Sequence, residues 1–457
     1  MSSQMQLPLE RHQSQSQSQS EWLGQSAGIW KPTKTLTQSG RTVGPSSGLP
    51  LEDMAARSPR RLLLAVANDS SGNRFLDTLR EREEELQFRF EGTLGELLGK
   101  RGVENASVAD DLRDKFAFLK IKPGDDFSVI RSIFRHGCAT RLPGAPFPDI
   151  DVEPAQHLEY ARAGLGPNYI LRSQGSMHDE YLKMLNTSAA KSNGSDVVIA
   201  VIDSGFESAG ILSGFLDLIE YSNNTAKDNF GHGTAMASII KDTAPDATLC
   251  AVRMADQDPD VSEAILGISA GSLHYQADII NLSFGLPEGK ECSRCGTQTS
   301  VSTVFQRFLA CISDKPMTKR GAPILVAATG NNGHATGFNL PSRLSYILAV
   351  GSINMARKRS DFSNYGTPHQ RYIMMPGGER QDGLITEWIG EAHYKCFGTS
   401  AAAAYASGVL ALYMSDADYQ QTDRQSFLNN VLRNCLPCYN HDPDEHGKGY
   451  LAYQPHS

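Results

Sequence analysis

The sequence has no run of eighteen or more apolar residues, so it contains no segment typical of a membrane-spanning helix. It also has no basic stripe, and its formal net charge of −8 argues against a general nucleic-acid-binding protein. Its first residues lack the basic and then apolar pattern of a secretory signal. We therefore expect a cytoplasmic protein with no membrane or nucleic-acid partner, in which the eight cysteines stay mostly reduced.

The 457 residues fall into four predicted segments. Residues 1–59 are rich in Ser and Gln and can bury little apolar surface, so they are predicted to be disordered. Residues 60–155 alternate between strand-like and amphipathic helix-like stretches, which indicates a small α+β domain. Residues 156–182 are predicted to be a connector, and residues 183–457 the main domain.

The main domain contains five apolar, β-branched runs with helix-like stretches between them. This alternation predicts a doubly wound parallel sheet of the α/β class, in which reactive residues collect at the C-terminal ends of the strands. The runs are DVVIAVID, ATLCAVRM, DIINLSF, PILVAAT and YILAVGS.

Four polar residues follow strands or begin helices in this pattern. Asp203 ends the first run, His232 lies between two glycines before a helix, and Asn331 lies in a glycine-rich turn. Ser400 begins a helix of small residues, where free N–H groups favour a developing oxyanion. Each also has an ordinary interpretation: an Asp cap, a histidine at a helix start, an Asn turn or a closely packed small residue.

The order Asp, His, Ser on a parallel sheet is that of subtilisin. From about Asp196 to Tyr453 the chain resembles the subtilases, the subtilisin-like serine peptidases. The resemblance is carried by AVIDSG, GHGTAMAS, NLSFG, AATGNNG and GTSAAAAYASG, with DFSNYG and MPGGE between the last two.

The resemblance implies an endopeptidase that acts on proteins or peptides without a cofactor. Ser400 would be the nucleophile, His232 the general base and Asp203 its partner, with Asn331 donating to the oxyanion. The residues implied to line the substrate cleft are Ser283, Phe284, Gly285 and Gly330. The chain lacks the loop insertion after His232 that carries a common calcium site, so calcium independence is expected.

Two positions depart from the family's serine motif, because Ala401 and Ala404 stand where Met and Pro are usual. The alternative function is therefore a catalytically disabled subtilase fold that binds proteins or acts as a scaffold. A nucleotide-binding α/β protein is disfavoured, because no phosphate-cradling glycine loop is present.

Residues 60–155 loosely resemble the inhibitory propeptides of subtilases, and the alternative is an interaction domain unrelated to inhibition. The acidic stretch from Ala255 to Asp260 predicts a preference for basic residues before the scissile bond; otherwise it is a solvated loop.

Two CxxC pairs are present, Cys292/Cys295 and Cys435/Cys438. The zinc-ligand candidates are Cys435, Cys438, His441 and His446. The same segment also fits the ordinary C-terminal end of a subtilase domain. Cys396, close to Ser400, either makes activity sensitive to thiol reagents or is a small buried residue.

Overall fold

The structure is a computed structural model, which describes most of the chain after residue 60. The described ranges are 61–122, 125–139, 150–160, 164–167, 177–207, 212–219, 227–256, 259–287, 302–335, 337–366, 369–379, 384–387, 393–419 and 423–455. The predicted disordered tail and the pair Cys292/Cys295 lie outside these ranges.

The N-terminal domain is a four-stranded antiparallel sheet with helices, in the strand order β2-β3-β1-β4. Its elements are β1 (Arg61–Ala67), α1 (Ser70–Glu81), α2 (Glu83–Leu86), β2 (Arg89–Thr93), α3 (Leu94–Lys100), α4 (Ser107–Asp110), β3 (Asp114–Lys120), α5 (Asp126–Ala139) and β4 (Ile150–Pro154).

Helix α1 shows why the local sequence folds as it does. The carboxylate of Asp69 accepts hydrogen bonds from the N–H groups of Ser71 and Gly72, which satisfies the free start of the helix. Phe75 and Leu79 lie on one face and are buried. The helix ends at Glu81, and the short helix α2 follows after Arg82.

Two short strands and a helix join the N-terminal domain to the main sheet. They are β5 (Glu159–Tyr160), β6 (Gly164–Pro167) and α6 (Met177–Met184). The main domain then continues with β7 (Val198–Asp203), β8 (Gly214–Asp217), α7 (His232–Thr243), β9 (Thr248–Arg253), α8 (Val261–Leu273), β10 (Ile279–Leu282), β11 (Phe284–Gly285), α9 (Thr303–Asp314), β12 (Ile324–Ala328), β13 (Leu348–Ile353), β14 (Tyr372–Pro376), β15 (Leu384–Glu387), β16 (His393–Phe397), α10 (Thr399–Ser415), α11 (Arg424–Val431), β17 (Cys435–Leu436), α12 (Pro443–His446) and β18 (Tyr450–Leu451).

The main sheet has nine strands in the order β17-β18-β14-β13-β12-β10-β7-β9-β8. All its pairs are parallel except β17 with β18. The predicted α/β class is therefore confirmed, and the five apolar runs form β7, β9, β10, β12 and β13. These strands are almost wholly buried, as parallel strands covered on both faces should be.

Helix α10 lies in the core and is buried along nearly its whole length. Its small residues let it approach α7 closely, and a Cβ atom at Gly408 would lie only 2.5 Å from Thr243 Cβ. Since α7 begins with His232 and α10 carries Ser400, close packing of these two helices fixes the relative position of both side chains.

The N-terminal sheet packs on the outer helices α8 and α9 of the main domain. The guanidinium of Arg307 pairs with Asp114 at 2.8 Å and with Asp151 at 2.6 Å. Phe116 meets Phe308 edge to face, with ring centroids 5.5 Å apart. The two domains thus share an apolar cluster bordered by ion pairs.

In the described part of the chain, no helix combines the length and the apolar character that crossing a membrane requires.

Candidate active site

Asp203 is the last residue of β7, at the C-terminal edge of the main sheet. Its side chain is 1 % exposed, and Oδ1 accepts hydrogen bonds from the N–H of Ser204 at 2.7 Å and from Nδ1 of His232 at 2.7 Å. Both bonds hold the carboxylate in place, so that it can orient the imidazole of His232.

His232 is the first residue of α7 and follows Gly231, whose φ of 90° favours glycine. With Nδ1–H directed to Asp203, Nε2 is left as an acceptor at 3.1 Å from Ser400 Oγ. This is the tautomer that a general base needs.

Ser400 lies in the first turn of α10, and only 2 % of the residue is exposed. Its hydroxyl group is within hydrogen-bonding distance of two acceptors, His232 Nε2 at 3.1 Å and the carbonyl oxygen of Ser283 at 3.0 Å. The single hydroxyl proton can therefore be directed to the imidazole without any movement of the backbone. Asp203, His232 and Ser400 form one continuous hydrogen-bonded chain.

The side chain of Asn331 is held at one end only. Its Oδ1 accepts from both the N–H and the hydroxyl of Thr399, each at 2.9 Å. Its buried Nδ2 has no hydrogen-bond partner among the described residues. Gly330, also expected at the cleft, has a φ of 108° and donates its N–H to Thr399 Oγ1 at 3.2 Å. The turn thus leaves an amide donor next to the start of α10.

A segment that follows the N-terminal domain pairs with the strand expected to line the substrate cleft. The N–H of Val261 donates to the carbonyl of Gln156 at 3.0 Å, and the N–H of Leu158 donates to that of Pro259 at 2.8 Å. On the other side β5 pairs antiparallel with β11, which contains Phe284 and Gly285. Residues 156–160 therefore form the middle strand between residues 259–261 and β11.

A second pairing lies close to Ser400 in the sequence. Strand β6 pairs antiparallel with β16, with Gly164 opposite Phe397. Strand β16 leads through Gly398 directly into α10, which carries Ser400. The two strands that follow the N-terminal domain, β5 and β6, thus pair with β11 and with the strand before Ser400.

Two carboxylates of the acidic stretch from Ala255 to Asp260, which was predicted to favour basic substrates, already have hydrogen-bond partners within the protein. Asp256 accepts from Nε of Arg253 at 3.2 Å and from Nη2 at 2.7 Å. Asp260 caps α8 by accepting from the N–H of Glu263 at 3.1 Å. Two of the three carboxylates of the stretch are therefore engaged within the protein, Asp258 lies outside the described residues, and the preference for basic residues stays a prediction.

The zinc interpretation is wrong for the residues that suggested it. No three His, Cys, Asp or Glu side chains in the described ranges, which include all four candidates, are placed to hold a metal ion. His441 and His446 stack on each other, and His446 Nδ1 contacts the carbonyl of Asp442 at 3.1 Å.

Cys396 is a buried residue of β16, and burial raises its thiol pKa to about 12. The neutral thiol is the stable form, so the side chain behaves as a small apolar residue and not as a reactive thiolate.

Sequence reasoning did not identify two buried polar side chains that organise this site. Asn364 Oδ1 accepts from the N–H groups of Asn332 and His334, at 2.9 and 3.2 Å, and holds the turn that carries Asn331. Asp228 accepts hydrogen bonds from the start of α7. Their signals were present in DFSNYG and DNFGHGT, but a single sequence does not show which polar residues become buried.

The profile of the subtilase family matches residues 194–437, more than half of the chain. Subtilisin NAT from Bacillus subtilis subsp. natto is 28 % identical over 239 residues, which cover 49 % of this chain and 56 % of that protein. The Minor extracellular protease Epr of Bacillus subtilis is 27 % identical over 255 residues, 52 % of this chain and 35 % of that protein. The Thermostable alkaline protease of Halalkalibacterium halodurans is 28 % identical over 290 residues, 59 % and 71 % of the two chains. The match covers about half the length of the first of these relatives.

Proposed function

The chain belongs to the subtilase family, and on that premise we propose that it is a serine endopeptidase that hydrolyses peptide bonds through an acyl-enzyme. The observation that carries the proposal is the hydrogen-bonded chain from Asp203 through His232 to Ser400, with distances of 2.7 and 3.1 Å. A binding or scaffold protein would have no chemical need for this tautomer arrangement beside an unpaired amide donor.

In the proposed reaction, Ser400 Oγ attacks the peptide carbonyl while His232 Nε2 takes its proton. The imidazolium is stabilised by Asp203 and then protonates the leaving amine, which breaks the peptide bond. A water molecule, deprotonated by the same imidazole, hydrolyses the ester and restores the serine. Asn331 Nδ2 and the N–H of Ser400 would bind the oxyanion in both steps.

Hydrolysis of an unfolded protein substrate tests the proposal. We expect Ser400→Ala to lower kcat on the order of 10⁶-fold, as when a triad serine is removed from subtilisin. Ser415→Ala is the matched control, because Ser415 lies at the other end of α10 and donates to Leu412 O at 2.9 Å. If folded wild-type protein is no more active than Ser400→Ala both as the intact chain and after a cut between Tyr160 and Gly164, the scaffold alternative replaces the peptidase.

The N-terminal domain is proposed to inhibit the peptidase by delivering its own chain to the cleft. Support comes from the pairing of β5 with β11 and of β6 with β16, which occupies the path that an extended substrate would take. The ion pairs of Arg307 and the apolar contact at Phe116 anchor the domain on the other side.

Intact mass and N-terminal sequencing of purified protein test this arrangement. Tyr160 pairs with Phe284, the neighbour of the Ser283 carbonyl that accepts from Ser400, and Gly164 pairs with Phe397, three residues before Ser400. We therefore expect wild-type chains to be cut between Tyr160 and Gly164. Ser400→Ala chains should remain uncut there. The same cut in Ser400→Ala would show that another peptidase is responsible, and an active wild-type protein with no cut would contradict the proposed path.

We propose that the cleft accepts a large aliphatic residue where Leu158 lies, as an alternative to the predicted preference for basic residues. Leu158 is fully buried in the same apolar cluster as Val261 and Phe284. Burial of a leucine side chain contributes about 1.5–3 kcal/mol, so this contact can select a substrate. In a peptide of the sequence of residues 155–166, Leu→Lys at this position should lower kcat/KM; an increase would favour the preference for basic residues.

Location in the cytoplasm, independence from cofactors and calcium, and the absence of nucleic-acid or membrane partners stay predictions. So do the domain boundaries at residues 59, 155 and 182.

A further inference from the structure

Asp228 is a buried carboxylate outside the triad. It contacts the segment that follows Asp203 and the segment that carries His232. It is 5 % exposed and accepts five hydrogen bonds. Oδ1 accepts from the hydroxyl of Ser204 at 2.9 Å and from the N–H groups of Phe230 and Gly231 at 3.0 and 2.7 Å. Oδ2 accepts from the N–H and the hydroxyl of Thr234 at 2.9 and 2.7 Å.

Three of these bonds fix the start of α7. The first N–H groups of a helix have no partner within the helix, and Gly231, the residue before α7, has no side chain with which to cap it. Asp228 supplies the missing acceptor for Gly231 and Thr234, which lie on either side of His232 in the chain. The orientation of the imidazole at the start of α7 therefore depends on the position of this carboxylate.

The bond from the hydroxyl of Ser204 connects Asp228 to Asp203, the hydrogen-bond partner of His232. Ser204 donates its hydroxyl to Asp228 and accepts the N–H of Gly233 at 2.9 Å on the same oxygen. Its backbone N–H donates to Asp203 Oδ1 at 2.7 Å. Asp228 is thus connected through one residue to the carboxylate that holds His232.

We propose that Asp228 is a positioning residue for the peptide hydrolysis proposed above, since it holds Asp203 and His232 at the separation and angle that direct Nε2 to Ser400. It acts through Ser204 and the start of α7 and does not touch the substrate. The inference rests on the proposed function. The part of it that concerns the Asp203–His232 hydrogen bond can, however, be tested without measuring peptide hydrolysis.

The test compares full-length variants by two measurements. The first is the rate at which a small fluorophosphonate labels Ser400, and the second is the low-field proton resonance of His232 Nδ1–H in its bond to Asp203. Asp228→Ala removes all five contacts, whereas Asp228→Asn keeps one acceptor oxygen. Asp423→Ala is the matched control, because Asp423 also caps a helix, α11, by accepting from Ser426 N–H at 2.8 Å.

We expect labelling to fall about 100-fold in Asp228→Ala, which is the scale of loss when a reacting group is misplaced by about 1 Å. Asp228→Asn should recover part of this loss, and the low-field resonance should shift or broaden in both variants. Asp423→Ala should keep the wild-type resonance and labelling rate, even if it unfolds at a lower temperature.

Wild-type labelling and an unchanged resonance in Asp228→Asn would overturn the proposal. If Asp228→Ala does not fold, Ser204→Ala decides, because it leaves the contacts between Asp228 and α7 in place and breaks the link to Asp203. An unchanged resonance of His232 Nδ1–H in Ser204→Ala would then overturn the proposed connection from Asp228 through Ser204 to Asp203. If the wild-type protein is not labelled as either the intact or the cut chain, the proposed function fails, while the resonance of His232 Nδ1–H still tests the role of Asp228.

Discussion

The amide of Asn331 is fixed by its oxygen and left open at its nitrogen. Two hydrogen bonds from Thr399, each 2.9 Å long, prevent the amide from turning over. A donor held in this way needs no reorganisation when negative charge develops on the substrate, which is why such groups favour the transition state over the bound substrate.

We predict that Asn331→Ala lowers kcat by about 10²–10³-fold, the loss seen for the oxyanion asparagine of subtilisin, and leaves KM nearly unchanged. Steady-state hydrolysis of a peptide substrate measures both constants. Asn332→Ala is the neighbouring control and should keep kcat near the wild-type value. A rise in KM with unchanged kcat would mean that Asn331 binds the substrate only in its ground state.

Glu153 gives the boundary between the two domains a dependence on pH. Its carboxylate accepts from the N–H of Thr303 at 2.8 Å and from the hydroxyl of Ser302, at the start of α9. Burial raises the pKa of the carboxyl to about 7, although the hydrogen bonds from α9 oppose the shift and the charge of Asp151 adds to it. The docked domain therefore binds this proton more tightly than a released domain would.

Docking should be strongest below the ordinary carboxyl pKa of 4.5 and should weaken as the pH rises to about 7. The thermal midpoint of the Ser400→Ala protein, which cannot cut itself, measures this between pH 4.5 and 8. Glu153→Gln stays neutral and can still accept a hydrogen bond, so it should lose the dependence in that window. An unchanged pH profile in Glu153→Gln would assign the effect to other groups.

The packing of α7 against α10 sets the distance between His232, at the start of α7, and Ser400, in the first turn of α10. Alanine normally stabilises a helix relative to glycine, but a Cβ atom at Gly408 would lie 2.5 Å from Thr243 Cβ. The steric overlap outweighs the gain in helix propensity, because neither helix can move without disturbing the sheet beneath it.

Gly408→Ala should therefore lower the free energy of unfolding by about 1–3 kcal/mol. Gly99→Ala is the control: Gly99 is an exposed residue near the end of α3, and the atom nearest to an added Cβ, Ala106 Cβ, would be 3.9 Å away. It should raise the free energy of unfolding by about 0.5–1 kcal/mol. Chemical denaturation measures both, and a stabilising effect of Gly408→Ala would show that α7 and α10 can separate freely.

The elements also differ in how well the sequence predicts them. Strands such as β7 and β12 were predictable, because a strand buried on both faces has to be apolar throughout. The triad was predictable in the same way, since its members follow strand ends or begin helices. Strand β14, YIMMP, was not predicted, because two methionines and a proline give a weak strand signal.

Contacts between residues that are far apart in the chain could not be predicted from the sequence. The role of Asp228 depends on backbone N–H groups that point to one place only after α7 has formed. The pairing of Tyr160 with Phe284 joins residues far apart in the chain and leaves no pattern in either segment. The pairing of Asp256 with Arg253 was also not predictable, because Arg253 is buried in the fold and appears in the sequence only as one more charge.

For the molecule as a whole, we propose an enzyme that is inhibited by its own N-terminal domain. This domain contacts α9 through Arg307 and Phe116, and the strands β5 and β6 that follow it pair with β11 and β16. Under this proposal, the segment has to be cut or displaced before other substrates enter.

The most direct test of this account is to treat purified full-length protein with a fluorophosphonate probe and to locate the adduct by mass spectrometry. The account predicts one adduct, on Ser400, that is absent from Ser400→Ala and forms faster on chains already cut between Tyr160 and Gly164. A folded protein that carries no adduct in either cut or uncut form would contradict it, and the chain would then be a binding protein built on a peptidase fold.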